Sequence, residues 1–249
     1  VFSELVVGNT LINNGLTYMD LWRSRKQPAD VLELVLSDRL TGVPIQQDQP
    51  AQFSFGYTVD GISKAFAGTV NFVDGLTVRI KDGMVSCLRT NIVQAFIEAT
   101  PQEIISFGLR KAGIKKFSLS DLVFEKKNFI ASGENVYELA QNVNRVWGLD
   151  FDPYFDVEET FHWHQRPDQE ELYSFEYGEN IIDIEWDGQL GRILTIGLPF
   201  MDHSQLISID HPEVVLDEAL VDTVHSFYDG KKLRTEIYFS SLLGGDSNV

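Results

Sequence analysis

The chain has 249 residues, with 20 Lys and Arg against 37 Asp and Glu and a formal net charge of −17. That balance argues against nucleic-acid binding as the main task, which needs a basic surface to release counterions from phosphate. The single cysteine, Cys87, excludes a disulfide within the chain and reads as a small core residue rather than a nucleophile, so the fold rests on apolar packing, as suits a reducing compartment. No run approaches the ~18 apolar residues of a membrane span, and the opening VFSELVVGNTL has neither the basic nor the apolar region of a signal peptide, so a soluble, unexported chain is expected.

In chain order, apolar runs around residues 4–7, 16–22 and 31–36 are separated by Asn13-Asn14-Gly15 and by Pro28 and read as strands. Residues 29–40 have a helix-like composition, but Val31, Glu33 and Val35 alternate with Leu32, Leu34 and Leu36, which favours a strand. Gly42, Pro44 and Pro50 mark 41–50 as a loop. From 52 to 89, three Asp-Gly pairs (Asp60-Gly61, Asp74-Gly75 and Asp82-Gly83) cut the chain into runs of strand length. Asp-Gly suits tight hairpin turns whose central residues both take positive φ. Phe53, Phe55 and Tyr57 alternate before the first pair. Phe66, Val70 and Phe72 lie between the first two, and Leu76, Val78 and Ile80 follow. The stretch reads as an antiparallel meander.

The period then changes. Thr100-Pro101-Gln102-Glu103 supplies a capping Thr, a Pro at the first helical position and a Glu three residues past the cap. Ile104, Ile105, Gly108, Leu109 and Ala112 recur at helical spacing, and Gly113 ends the segment. A strand-like segment over 117–129 leads to Ser132, taken as the N-cap of a second helix with Val136, Leu139, Ala140, Val143 and Trp147 on one stripe and Gly148 as its stop. Residues 151–154 and 160–164 read as short strands, and 165–171 as a polar linker. Beyond it, Asp187-Gly188 joins runs at 181–186 and 189–197, and Asp229-Gly230 joins 219–228 to 231–239. The order is β, then α+β, then β, with a small polar tail over 243–249 that would fray or lead into a partner.

Three groups of residues invite chemistry. His162 and His164 flank Trp163 at the spacing of a two-imidazole metal site, but no third ligand is fixed, and a structural or surface role is favoured. Asp150, Asp152, Asp156, Glu158 and Glu159 are dense enough for calcium or a glycosidase carboxylate pair, yet lack the glycine and spacing of a calcium loop, so a solvated loop is favoured. His203, His211 and His225 are scattered, with no Gly-x-Ser-x-Gly elbow, phosphate loop or dinucleotide fingerprint. The reading is of a non-enzyme with no catalytic, cofactor-binding or metal-ligating residue.

The order of several short motifs resembles the late control gene D family of baseplate hub proteins from contractile phage tails. Pro28-Ala29-Asp30 followed by Leu32-Glu33-Leu34 resembles the family's early strand. Phe55-Gly56-Tyr57 followed by Phe66-Ala67-Gly68-Thr69-Val70 resembles its Gly-Tyr hairpin. Thr100-Pro101-Gln102-Glu103-Ile104-Ile105 before Ala112-Gly113-Ile114 resembles the helix after its first barrel. Residues Val221 to Phe227, with Val224-His225, followed by Thr235-Glu236-Ile237, resemble its closing hairpin. The segment around Pro199 to His203 lacks the Pro-Gly that often precedes the late strands, and the chain carries no fused spike-like β domain, so any piercing tip would be another polypeptide.

The resemblance implies a mainly β fold in which two small tail-tube-like β-barrels, at 1–98 and 171–249, flank an α+β middle at 99–170. It also implies a homotrimer whose pseudo-sixfold ring adapts the hexameric tail tube on one side to a threefold spike on the other, in the virion tail or baseplate, assembled in the host bacterial cytoplasm. DNA or cargo would pass through the lumen without specific binding, and an acidic lining would repel it. The family spans phages, prophages, tail-like bacteriocins and contractile injection systems. A rival reading is a surface glycan-binding β-domain in which Trp163, Trp186 and Tyr173 stack on sugar rings.

Overall fold

The alternating runs of the first eighty residues fold as strands in the computed structural model, which describes residues 1–242. They are β1 (Phe2–Val7), β2 (Thr10–Asn13), β3 (Leu16–Ser24), β4 (Val31–Leu36), β5 (Pro50–Gly56), β6 (Ser63–Asp74) and β7 (Thr77–Lys81). The middle of the chain holds α1 (Met84–Arg89), β8 (Asn91–Ala99), α2 (Pro101–Lys111), β9 (Phe117–Leu119), β10 (Lys127–Asn135), α3 (Val136–Trp147), β11 (Pro153–Phe155) and β12 (Phe161–Trp163). The last third is again β: β13 (Tyr173–Glu176), β14 (Asp183–Trp186), β15 (Leu190–Ile196), β16 (Leu206–His211), β17 (Val214–Tyr228) and β18 (Leu233–Ser241). The fold is mainly β with few helices. The tail expected over 243–249 lies outside the described residues.

The first and last thirds share one 13-stranded sheet, with order β14-β15-β18-β17-β3-β4-β7-β6-β5-β1-β2 and β16 and β13 branching from β17. The join is the antiparallel pairing of β3 with β17, in which Leu21 faces Ser226 and Trp22 faces His225. The seven strands from β3 to β2 curl, because Asn14 and Gly15 alone connect the two ends of that path. The middle forms a two-stranded sheet, β10-β8, and a three-stranded sheet, β11-β12-β9.

Three apolar clusters result. The first is built on Leu21, Leu32, Leu34, Phe53, Phe55, Val70 and Ile80, and takes in Leu233 from the far end of the chain. The second packs α1, α2 and α3 through Met84, Ile105, Leu109, Leu139 and Val143 against Trp163. The third holds Phe175, Ile193, Ile207, Val224 and Phe239. Full burial of one such side chain is worth about 1.5–3 kcal/mol, so each cluster stabilises its own section. In β4 the inward residues are Leu32, Leu34 and Leu36, as the alternation requires.

Hairpin chemistry differs in detail from the expected turns. Asp74 pairs with Thr77 across β6–β7, so the turn residues are Gly75 and Leu76, and Gly75 alone takes positive φ, at 58°. The pattern repeats at Asp187 and Asp229, with φ of 102° at Gly188 and 87° at Gly230. The aspartate therefore sits one place before the turn, where its carboxylate accepts backbone N–H groups: Gln189 and Leu190 for Asp187, and Lys231 and Lys232 for Asp229. The other two pairs are not tight hairpins. Asp60-Gly61 lies in the longer loop between β5 and β6. Asp82-Gly83 opens α1, with Met84 N–H donating to Asp82 Oδ1 at 3.1 Å.

Two side chains expected inside the meander face outward. Tyr57, beyond the end of β5, is 47% exposed, and Phe72, past a bulge in β6, is 44% exposed. The glycines of the Gly-Tyr hairpin have a steric reason: a Cβ on Gly56 would overlap Gly61 O, and one on Gly68 would overlap Lys81 O.

Helix α2 starts as its sequence dictates, with the full reciprocal capping box between Thr100 and Glu103 and with Pro101 in the first turn. Helix α3 starts at Asn135 rather than Ser132; the Asn135 side chain accepts from Glu138 N–H while Glu138 accepts from Asn135 N–H. Ser132 is a residue of β10, paired with Val93. The segment expected as one strand over 117–129 is broken into β9 and the start of β10.

Candidate functional site

The residues with the most unusual environment lie where the three apolar clusters meet. In β3 the inward positions run Met19, Leu21, Arg23, so the pleat that buries two apolar side chains carries a guanidinium inside as well, at 2% exposure. An isolated buried cation is costly. Arg23 meets that cost by donating to Ala65 O at 3.0 Å and to Met201 O, and it lies 3.6 Å from Asp202 Oδ1.

Asp202 and His203 come from the β15–β16 loop, Asp30 precedes β4, and Asp82 follows β7; all four are buried. Asp30 Oδ1 accepts Ser24 N–H at 2.8 Å, and its Oδ2 lies 3.3 Å from His203 Nε2, off hydrogen-bond alignment. Asp202 Oδ2 accepts Val157 N–H at 3.1 Å. Tyr154 of β11 meets the His203 ring edge to face at 4.9 Å and donates its hydroxyl to Gln165 O. First strands, middle region and last strands therefore meet at one polar joint.

Burial alone would lower the pKa of His203, but the carboxylates of Asp202 and Asp30 outweigh it and hold the imidazole above its ordinary value. Burial, reinforced by Asp30, pushes Asp82 well above the carboxylate range. Asp30 and Asp202 thus face Arg23 and His203 across the joint, with Asp202 Oδ1 3.6 Å from Arg23 and Asp30 Oδ2 3.3 Å from His203 Nε2. Burial also pushes the Tyr154 hydroxyl up to about 12. The joint holds charge inside the protein and bears packing from all three apolar clusters.

A second cluster lies on the other face of the β3–β17 join. His225 sits between Asp20 Oδ1 at 2.6 Å and Glu236 Oε2 at 3.0 Å, and stacks on Trp22. Further along, Arg192 bridges Asp183, Glu185 and Glu236 at 2.8, 2.8 and 3.2 Å. Bonds to Glu185, then Asp183, raise its already high pKa against partial burial.

Apart from His162 and Asp156, which pair with each other, the sequence candidates turn to separate partners. His162 Nε2 pairs with Asp156 Oδ2 at 2.9 Å inside the protein. Burial works to raise the Asp156 pKa, but His162 and the N–H groups of Thr160 and Glu158 prevail and lower it. His164 lies past the end of β12 with a φ of 54°, stacked on Phe151 and bonded to Ser120. Asp152 pairs with Lys26, and Glu158 with Lys64. His211 meets Tyr177. No three His, Cys, Asp or Glu side chains among the described residues form a metal-binding group.

Trp163 is fully buried, its Nε1 donating to Asn144 Oδ1, so it does not stack on a sugar. Trp186 packs on Phe239, and Tyr173 on Phe200. Cys87 is buried, and desolvation, then Asp82, raises its thiol to about 12. The joint itself escaped sequence reasoning. Its available signal was an Arg at an inward-facing position of β3.

No family model matches the sequence, and no characterised protein matches it by sequence. In fold the chain is similar to the 43 kDa tail protein of prophage MuSo2 from Shewanella oneidensis, at 12% identity and a TM-score of 0.72, covering 96% of this chain and 98% of that one. It is similar to a tail protein from Neisseria meningitidis, at 11% identity and a TM-score of 0.73, with 96% of both chains covered. It is also similar to an E. coli component of the type VI secretion system that exhibits structural similarity to the T4 bacteriophage tail proteins gp27 and gp5, at 10% identity and a TM-score of 0.67, covering 95% of this chain and 76% of that one. Over nearly its whole length, the chain thus has the fold of phage and prophage tail proteins.

Proposed function

We propose that the protein is a structural, non-enzymatic baseplate hub of a phage tail or tail-like particle, of the late control gene D kind. Three copies form a ring that adapts a sixfold tail tube to a threefold spike. The observation that carries this reading is the end-to-end agreement in fold with tail proteins, which takes in both β portions and the helical middle together. The likeness to a secretion-system component related to gp27 and gp5 supports a place next to the spike.

The proposed division is a first barrel at 1–98, a middle region at 99–170 and a second barrel at 171–249, although the apolar clusters cross these bounds: Met84, Cys87 and Ile92 pack with the middle region, and Leu233 with the first strands. In this reading the buried joint and the β3–β17 pairing hold the two barrels of one protomer at a fixed angle, as a ring of six barrel units requires. A charge of −17 per chain gives a strongly acidic ring whose lumen repels DNA or acidic cargo. The test is particle mass in solution with negative-stain imaging. A trimeric ring with a central channel is expected, and a compact monomer at all concentrations overturns the reading.

A further inference from the structure

The chain is acidic overall, but its charge is not evenly spread. Residues 110–127 hold Arg110, Lys111, Lys115, Lys116, Lys126 and Lys127, against Asp121 and Glu125 as the only carboxylates. Arg110, Lys111, Lys115 and Lys126 are exposed, and among the described residues none of them forms an ion pair. Elsewhere Arg23, Arg25, Lys64, Arg79, Arg89 and Arg192 have carboxylate partners, while cations without an ion pair among the described residues, such as Arg39, Lys81 and Arg145, stand apart from one another in sequence. What sets residues 110–127 apart is the density of cations in one short segment.

Two open grooves run under Arg110, Lys111 and Lys115 and share Arg110. One, of about 510 Å³, is lined by Phe96, Glu103, Ser106, Phe107, Arg110 and Lys111. The other, of about 450 Å³, lies along Ile114, Lys115 and Phe117. Their floor is aromatic. Phe107, 38% exposed, meets Phe96 edge to face at 5.4 Å, and Arg110 lies over the Phe117 ring. The one carboxylate in the lining, Glu103, is turned back onto Thr100 N–H at 2.8 Å by the capping box.

Arg110 and Lys111 complement the C-terminal end of the α2 dipole, but Lys115 and Lys126 lie outside the helix and have no such role. Salt screens charges beyond roughly 8–10 Å, so a partner that reaches this face responds to the local cations rather than to the net charge of the chain. A bare polyanion uses cations and has no need of a phenylalanine floor. An occupant that satisfies both must bring carboxylates together with an apolar side chain.

We propose that the two grooves are one docking site for an acidic polypeptide segment of a partner protein, with an aromatic or aliphatic anchor seated on Phe107 and Phe96 and carboxylates on Arg110, Lys111 and Lys115. This rests on charge and shape at α2 and stands apart from the ring proposed above.

The test is fluorescence anisotropy of the full chain with a short labelled peptide of Asp and Glu around a central Phe and Leu. Salt-sensitive binding is expected. Arg110→Glu/Lys111→Glu/Lys115→Glu should weaken it at least about tenfold, a change of ~1.4 kcal/mol. Phe107→Ala should weaken it several-fold, and Lys231→Glu/Lys232→Glu, on the distant β17–β18 turn, should leave it unchanged. If circular dichroism shows the reversal variant misfolded, the corresponding triple Gln variant serves in its place with the same expected direction. Absence of peptide binding overturns the proposal, as does equal binding by the variants. Equally tight binding of single-stranded DNA or phosphatidylglycerol vesicles, indifferent to Phe107→Ala, makes the face a general anion surface and also overturns it.

Discussion

Trp22 of β3 and His225 of β17 stack with ring centroids 3.8 Å apart and planes 12° from parallel, directly opposite each other in the register that joins the two β portions. His225 is held on both sides by carboxylates, Asp20 and Glu236. Replacing it with Ala removes the stack and leaves those two carboxylates without their shared partner. His225→Ala should cost roughly 1–3 kcal/mol, read as a lower urea midpoint with an unchanged slope.

At the buried joint, Arg23→Ala leaves Asp202 without its closest cation and removes the guanidinium's hydrogen bonds to Ala65 O and Met201 O. Breaking one side of a buried pair typically costs about 3–5 kcal/mol. The variant should be poorly soluble or unfolded at growth temperature. Arg23→Ala/Asp202→Asn, which removes both charges, should recover part of that loss in thermal melts.

The joint also sets a pH dependence. Asp82 and His203 are both raised above their ordinary values of 3.8 and 6.5, so each binds its proton more tightly in the fold than in the unfolded chain. Their contribution is complete below those ordinary values and is lost as pH rises through the raised folded ones. Asp82→Asn keeps an acceptor for Met84 N–H and removes the Asp82 part of the loss. Its melting temperature should match the parent's in acid and exceed it at alkaline pH, the gap opening as pH rises. A difference of the same size at every pH would contradict the assignment.

Helix starts offer a cleaner comparison. Asn135→Ala should cost about 1 kcal/mol, as should Thr100→Ala, while Ser132→Ala should be near neutral, all measured by urea unfolding. At the close approach of β6 and β7, Gly68→Ala drives a methyl into the backbone of Lys81 and should cost well over 2 kcal/mol. Gly75→Ala has open space around it and meets only the positive-φ penalty of about 1–2 kcal/mol.

What could be read from the chain follows the range of the interaction. The start of α2 was legible because Thr100, Pro101 and Glu103 act within four residues, and β4 because its alternation is local. The start of α3 was misplaced because Ser132 is also a capping type, although the true signature, Asn135 with Glu138, is equally local. Helix α1, from Met84 to Arg89, is too short to show a period. The β3–β17 pairing and the joint of Arg23, Asp30, Asp202 and His203 bring together residues from opposite ends of the chain, which no local pattern encodes. Sequence adjacency was equally uninformative in the acidic segment, where neighbours such as Asp152, Asp156 and Glu158 each turn to a different partner.

The β3–β17 pairing also has a consequence for synthesis. While the ribosome is still making the middle of the chain, β3 has β4 on one side and an open edge on the other, because the strand that covers that edge begins at Val214. Open edges are templates for mispairing, and long-range β pairing is slow. Nascent chains stalled or truncated before β17 should therefore aggregate or recruit chaperones, whereas chains released after β18 should not.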